Sequence, residues 1–104
     1  MSPRYYGIDG QPISEQAWAR MHDSQQRIVG STTVAFNPEV WVSTVWLGLD
    51  HGYGDGPPII FETMVFGGED DQFQDRYYTL EAAKRGHLAV VKALLAGQPL
   101  EERD

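Results

Sequence analysis

A chain of 104 residues, 41% hydrophobic and 12% aromatic, is long enough for one modest core and too apolar to remain disordered. Its net charge of −7, from 15 acids against 8 Lys and Arg, disfavours direct nucleic-acid binding, which needs a clustered basic surface. The absence of Cys excludes a disulfide framework, thiolate catalysis and zinc–thiolate sites.

We expect a single domain over 1–104. Its charge is unevenly placed. No Lys or Arg occurs from Ile28 through Asp75, a stretch carrying Glu39, Asp50, Asp55, Glu62, Glu69, Asp70, Asp71 and Asp75. The flanks are close to neutral. An acidic middle suits a basic protein patch or a cation, although ordinary solubility also accounts for it. The opening Met1-Ser2-Pro3-Arg4 lacks the apolar segment of a signal peptide, and no apolar run approaches the roughly 18 residues of a membrane span. The expected setting is the cytoplasm, without membrane contact.

Residues 4–25 read as a small hairpin, turning at Asp9-Gly10, and a short helix. Ser14 is the expected N-cap, with Glu15 in the favourable first turn. Ile13 and Trp18 are spaced as a hydrophobic staple, so the helix over Glu15 to Asp23 docks through Trp18.

Residues 27–66 read as an antiparallel meander. Arg27 to Phe36 is rich in Val, Ile and Thr, and Asn37-Pro38-Glu39 makes a turn. Trp41 to Leu49 alternates, with Trp41, Ser43, Val45 and Leu47 on one face and Val42, Thr44 and Trp46 on the other. Large apolar groups on both faces predict a central strand covered at least partly on both sides. Asp50 to Pro58 is a Gly/Pro loop, and Ile59 to Phe66 a third strand.

Residues 67–75 form an acidic, Gly-containing loop. Tyr77-Tyr78 extends the sheet by a short fourth strand. The last helix spans 79–96, with Thr79 as N-cap and Leu80, Ala83, His87, Val91 and Leu94 or Leu95 on its apolar face. Gly97 and Pro99 end it. Gly86 in mid-helix costs about 1 kcal/mol relative to Ala, which implies close approach to the sheet. Residues 98–104 are a fraying tail. The fold class is therefore α+β: an antiparallel sheet of three to four strands, a C-terminal helix on one face, and a short N-terminal helix on an edge or the other face.

The run Trp41-Val-Ser-Thr-Val-Trp-Leu-Gly-Leu-Asp-His51, followed by Gly54-Asp-Gly-Pro-Pro-Ile-Ile-Phe-Glu-Thr-Met-Val-Phe66, resembles a family of small proteins encoded by tailed phages and prophages. The similarity extends to Tyr5-Tyr6 with Gly10-Gln11-Pro12-Ile13-Ser14, and to Arg76-Tyr77-Tyr78-Thr79 with Gly86-His87. The resemblance implies a phage or prophage origin and a role inside the infected cell. It brings no established activity, so no catalytic role is carried over.

Candidate chemistry concentrates in Asp50-His51-Gly52-Tyr53-Gly54-Asp55-Gly56. Asp50, His51 and Asp55 offer oxygen and imidazole ligands for a divalent ion, with Glu62 or His87 as further members. The competing reading is a wide hairpin loop, and no calcium-loop or HExxH pattern is present. We expect no metal site and no cofactor. His87 reads as a hydrogen-bonded packing residue whose partner is a strand carboxylate or carbonyl. Glu62, if buried, needs a donor such as Tyr77, Tyr78 or Arg76.

Trp41, Trp46 and Tyr53, with the acidic loop residues Glu69, Asp70 and Asp71, make the better binding candidate, because Trp and Tyr anchor protein interfaces. Trp41 and Trp46 differ in parity, so one is free for a partner when the other is core. The expected function is that of a non-enzymatic acidic binding protein, an inhibitor of a host defence or regulatory protein. Two alternatives stand beside it. One is a metal-dependent enzyme or small-ligand binder using Asp50, His51 and Asp55. The other is a structural homo-oligomer associating through its sheet.

Overall fold

The computed structural model describes residues 4–50 and 56–100. Ser14 caps α1 (Glu15–His22) by accepting the Ala17 N–H at 3.0 Å. Four antiparallel strands follow: β1 (Ile28–Phe36), β2 (Glu39–Trp46), β3 (Phe61–Phe66) and β4 (Gln74–Tyr77). They lie in the order β1-β2-β3-β4, as short connections between successive strands favour. Thr79 caps α2 (Leu80–Leu95) through the Ala82 N–H, and Gly97 follows its end at φ +70°. The fold is α+β, with α2 packed on the sheet.

Register decides which face is core. Val42 lies opposite Val65, Thr44 opposite Thr63, and Trp46 opposite Phe61. All six are at most 1% exposed. Ala83, Gly86, His87 and Val90 of α2 are buried as well. Two apolar clusters result. One holds Val42, Val65 and Val90; the other holds Trp46, Ile60, Phe61, Tyr77 and Ala83. Gly86 permits the close approach that its sequence position implied: a Cβ there would collide with the Tyr77 ring and hydroxyl.

Three features depart from the sequence expectation. α1 closes the end of the α2-side layer, since Trp18 and Met21 join the same cluster as Ala83. The Trp18 Nε1–H donates to the Leu47 carbonyl at 2.9 Å, which fixes the dock. The second departure is the other sheet face, where Trp41, Ser43 and Val45 are only half-buried. β2 is interior to the sheet, but among the described residues no helix covers that side. Thirdly, β4 begins at Gln74, within the stretch read as loop. The polar run Gln74-Asp75-Arg76 has weak strand propensity, and pairing with β3 overrides it.

The sheet edges are guarded. β1 carries register irregularities between Ile28 and Gly30 and between Thr33 and Ala35, and β4 has four residues. Bulges and short edge strands discourage edge-to-edge pairing. On α2, Leu94 packs against the Val42 cluster while Leu95 is 66% exposed. Leu94→Ala should therefore destabilise by about 1–3 kcal/mol, and Leu95→Ala by less than about 0.5 kcal/mol. Urea denaturation of the two variants checks this, and equal midpoints would place the helix face wrongly.

Candidate functional site

The pairing of β2 with β3 sets Trp41 directly opposite Phe66 on the uncovered face. Their rings stack with centroids 5.0 Å apart and planes 25° from parallel. The Trp41 Nε1–H donates to Ser31 Oγ at 2.6 Å, which fixes the indole from the β1 side. Phe66 is 39% exposed, and Phe36, paired with Glu39 at the same sheet end, is 81% exposed. Three aromatic rings thus present apolar surface at one end of the sheet.

The acidic turn grows out of this end. Gly67 has φ +89°, and a Cβ on it would run into the Glu39 backbone carbonyl, so the turn is pressed against the start of β2. Asp71 holds its shape: Oδ1 accepts the Gly67 N–H at 2.8 Å. The Gln72 and Phe73 N–H groups close the turn on the Val65 and Asp70 carbonyls at 2.8 and 2.9 Å. By contrast, the Glu69 and Asp70 side chains form no hydrogen bond or ion pair among the described residues. Midway along the open face the Arg76 Nε–H donates to Glu62 Oε2 at 3.0 Å. Arg76 is thus the donor that Glu62 takes. On the α2 side of the same turn, Glu69 and Asp70 border a groove with Leu94, Gly97, Gln98 and Pro99.

The candidates from the sequence divide accordingly. Trp41 and the turn carrying Glu69, Asp70 and Asp71 lie at the same end of the sheet, but Glu69 and Asp70 border the α2-side groove and Asp71 is occupied by the turn. Trp46 is core, 1% exposed, with its Nε1–H on the Tyr6 carbonyl at 3.0 Å, so it presents nothing to a partner. Asp50 lies beyond the opposite end of β2, where its Oδ1 accepts the Ile59 N–H at 2.9 Å and helps close the loop. His51, Tyr53 and Asp55 lie outside the described residues. Among the described residues no three His, Asp or Glu side chains gather as metal ligands, and no helix is long and apolar enough to cross a membrane.

Phe36, Glu39 and Phe66 belong to the site and were not singled out from the sequence. Strand parity assigns Phe66 and Trp41 each to a face, but pairing them requires the register across the 47–60 connection. His87 is buried and hydrogen-bonded as expected, but its partners are threonine hydroxyls. The residues opposite it on β1 and β2 are Thr32 and Thr44, and each meets one ring nitrogen.

The roles within the turn separate by mutation. Glu69→Lys with Asp70→Lys should leave stability within about 0.5 kcal/mol, because neither side chain supports the fold. Asp71→Ala should cost about 1 kcal/mol by removing the bond to Gly67. Chemical denaturation distinguishes them, and equal losses would mean that the turn is not held by Asp71.

Compared with protein families, curated proteins and solved structures, the chain matches none.

Proposed function

We propose that this is a non-enzymatic binding protein whose partner is a basic protein surface, engaged at the Trp41–Phe66 end of the open sheet face. The observation that carries the reading is the pair of stacked, partly exposed aromatic rings at the sheet end from which the turn bearing Glu69 and Asp70 leaves. An indole face held in place attracts a guanidinium or ammonium group, and nearby carboxylates pair with the same cations. The absence of any Lys or Arg from Ile28 through Asp75 leaves no competing cation in the turn. A phage or prophage origin, action in the host cytoplasm, and blocking of a host defence or regulatory protein are the specific form we give this proposal. They are supported by the sequence resemblance alone.

Self-association through the same face is the rival reading. The guarded edges make the face the remaining sheet surface for it, but two copies bring like charges together. The test is a heteronuclear titration of the labelled protein with an arginine-rich peptide at low and high salt. Shifts confined to Trp41, Phe66 and residues 67–71 that fade at high salt are expected. Shifts at other surfaces, or a salt-independent dimer that Trp41→Ala dissolves, would overturn the reading.

A further inference from the structure

A chain of hydrogen bonds runs beneath α2 through every strand of the sheet. The Tyr77 hydroxyl on β4 donates to Thr63 Oγ1 on β3 at 3.0 Å. Thr63 Oγ1 lies 2.6 Å from Thr44 Oγ1 on β2, and Thr44 Oγ1 lies 2.8 Å from His87 Nδ1. His87 Nε2 lies 2.9 Å from Thr32 Oγ1 on β1. His87 is the α2 side chain through which this chain joins the helix to the strands.

Each hydroxyl has one hydrogen, and this fixes the direction of the chain. Thr63 accepts from Tyr77, so its hydrogen goes to Thr44. The Thr44 hydrogen then goes to Nδ1. Nδ1 is therefore the bare acceptor, and Nε2 carries the ring proton and donates to Thr32. In the opposite tautomer Thr44 donates to Thr63, and the Thr63 hydrogen finds an acceptor in the chain only if the bond from Tyr77 is given up. A protonated ring has the same fault. Nδ1–H then claims the Thr44 oxygen, Thr44 must turn its hydrogen to Thr63, and the bond from Tyr77 to Thr63 must open or reverse among buried groups.

We propose that His87 is an acid-sensitive latch: with a neutral ring the chain closes and clamps α2 to the sheet, and with a protonated ring the chain must reverse or open around a buried charge and the helix loosens. The surroundings offer little compensation for the added charge. Gly30 and Thr32 of β1, Thr44 of β2 and Thr63 of β3 face the ring and are uncharged. From β4, Tyr77 donates to Thr63, and the buried Asp75 turns Oδ1 to the Arg76 N–H at 3.0 Å. Along α2, Lys84 is exposed. Burial alone already lowers the His87 pKa below the ordinary 6.5.

The sign follows from linkage. A group whose pKa is lowered on folding takes up its proton first in the unfolded chain. Stability is thus full above about pH 6.5, falls as pH drops below that value, and levels off beneath the folded-state pKa. For one proton, the folding equilibrium constant changes by up to about tenfold per pH unit inside that window.

The experiment follows the wild-type imidazole nitrogens by NMR from pH 8 to pH 4.5, with hydrogen exchange of α2 amides at the two ends of the window. We expect a neutral Nε2–H ring at pH 7, titration below 6.5, and faster intrinsic-rate-corrected exchange along α2 than in β2 and β3 on acidification. Urea denaturation of His87→Gln, which keeps an amide donor and acceptor but does not titrate, should lose the slope between pH 6.5 and the folded-state pKa. A His87 pKa at or above 6.5, an Nδ1–H ring, or the same slope in His87→Gln would overturn the proposal. If His87→Gln does not fold, the wild-type titration and exchange decide alone.

Discussion

Trp46→Ala is expected to destabilise the fold by about 3–5 kcal/mol, the range for a large buried aromatic. A domain of this size has a total stability of about 5–15 kcal/mol, so the variant should be near unfolding. Trp46 stands between layers: it lies opposite Phe61 in the sheet and packs in one cluster with Ile60, Tyr77 and Ala83. Its Nε1–H also holds the Tyr6 carbonyl, and the Tyr6 N–H bonds the Gly48 carbonyl at 2.8 Å. Loss of the indole therefore opens a cavity and frees the N-terminal arm together. Trp41→Ala should cost far less, about 1 kcal/mol, because it removes an exposed stack and one hydrogen bond. Denaturation midpoints of the two variants measure the difference. Comparable losses would mean that strand parity has been read wrongly.

Gly86→Val is the second large effect, a loss of about 3 kcal/mol or more. In an exposed helix interior, replacing Gly by Ala stabilises by about 1 kcal/mol. Here the first added carbon meets Tyr77, whose hydroxyl is committed to Thr63. Either α2 lifts from the sheet or Tyr77 turns away and breaks the buried chain, and overpacking of this kind costs about 1–3 kcal/mol even for one carbon. Gly86→Ala should thus be neutral or destabilising. A clear rise in melting temperature for Gly86→Ala would show that the helix does not approach the sheet so closely.

Much of the fold was legible because short-range signals agreed with one another. Ser14 and Thr79 cap the two helices where their sequence contexts place them, and the alternation through Val42, Thr44 and Trp46 marks the buried face. What stayed hidden depends on register, which periodicity does not encode. The spacing left Leu94 and Leu95 as equal choices for the helix face, and only the crossing of α2 over Val42 and Val65 selects Leu94. The partners of His87 were equally out of reach, since Thr32 and Thr44 on two strands meet one ring only after the meander has closed. Large apolar residues on both faces of β2 suggested two covers, whereas the Trp41 side is left to the Trp41–Phe66 stack. That same ambiguity separates the binding candidates: Trp41 and Trp46 look alike in sequence, and pleating makes one surface and the other core.

The central proposal is that a basic partner engages the Trp41–Phe66 end of the sheet together with the turn bearing Glu69 and Asp70. The direct test is affinity capture from cell lysate with three immobilised proteins: wild type, Trp41→Ala, and Glu69→Lys with Asp70→Lys, all shown to be folded. The account predicts that wild type retains a protein with a basic surface, that both variants lose it, and that its association rate with wild type falls as salt rises. Retention of the same protein by both variants, with a rate indifferent to salt, would contradict it.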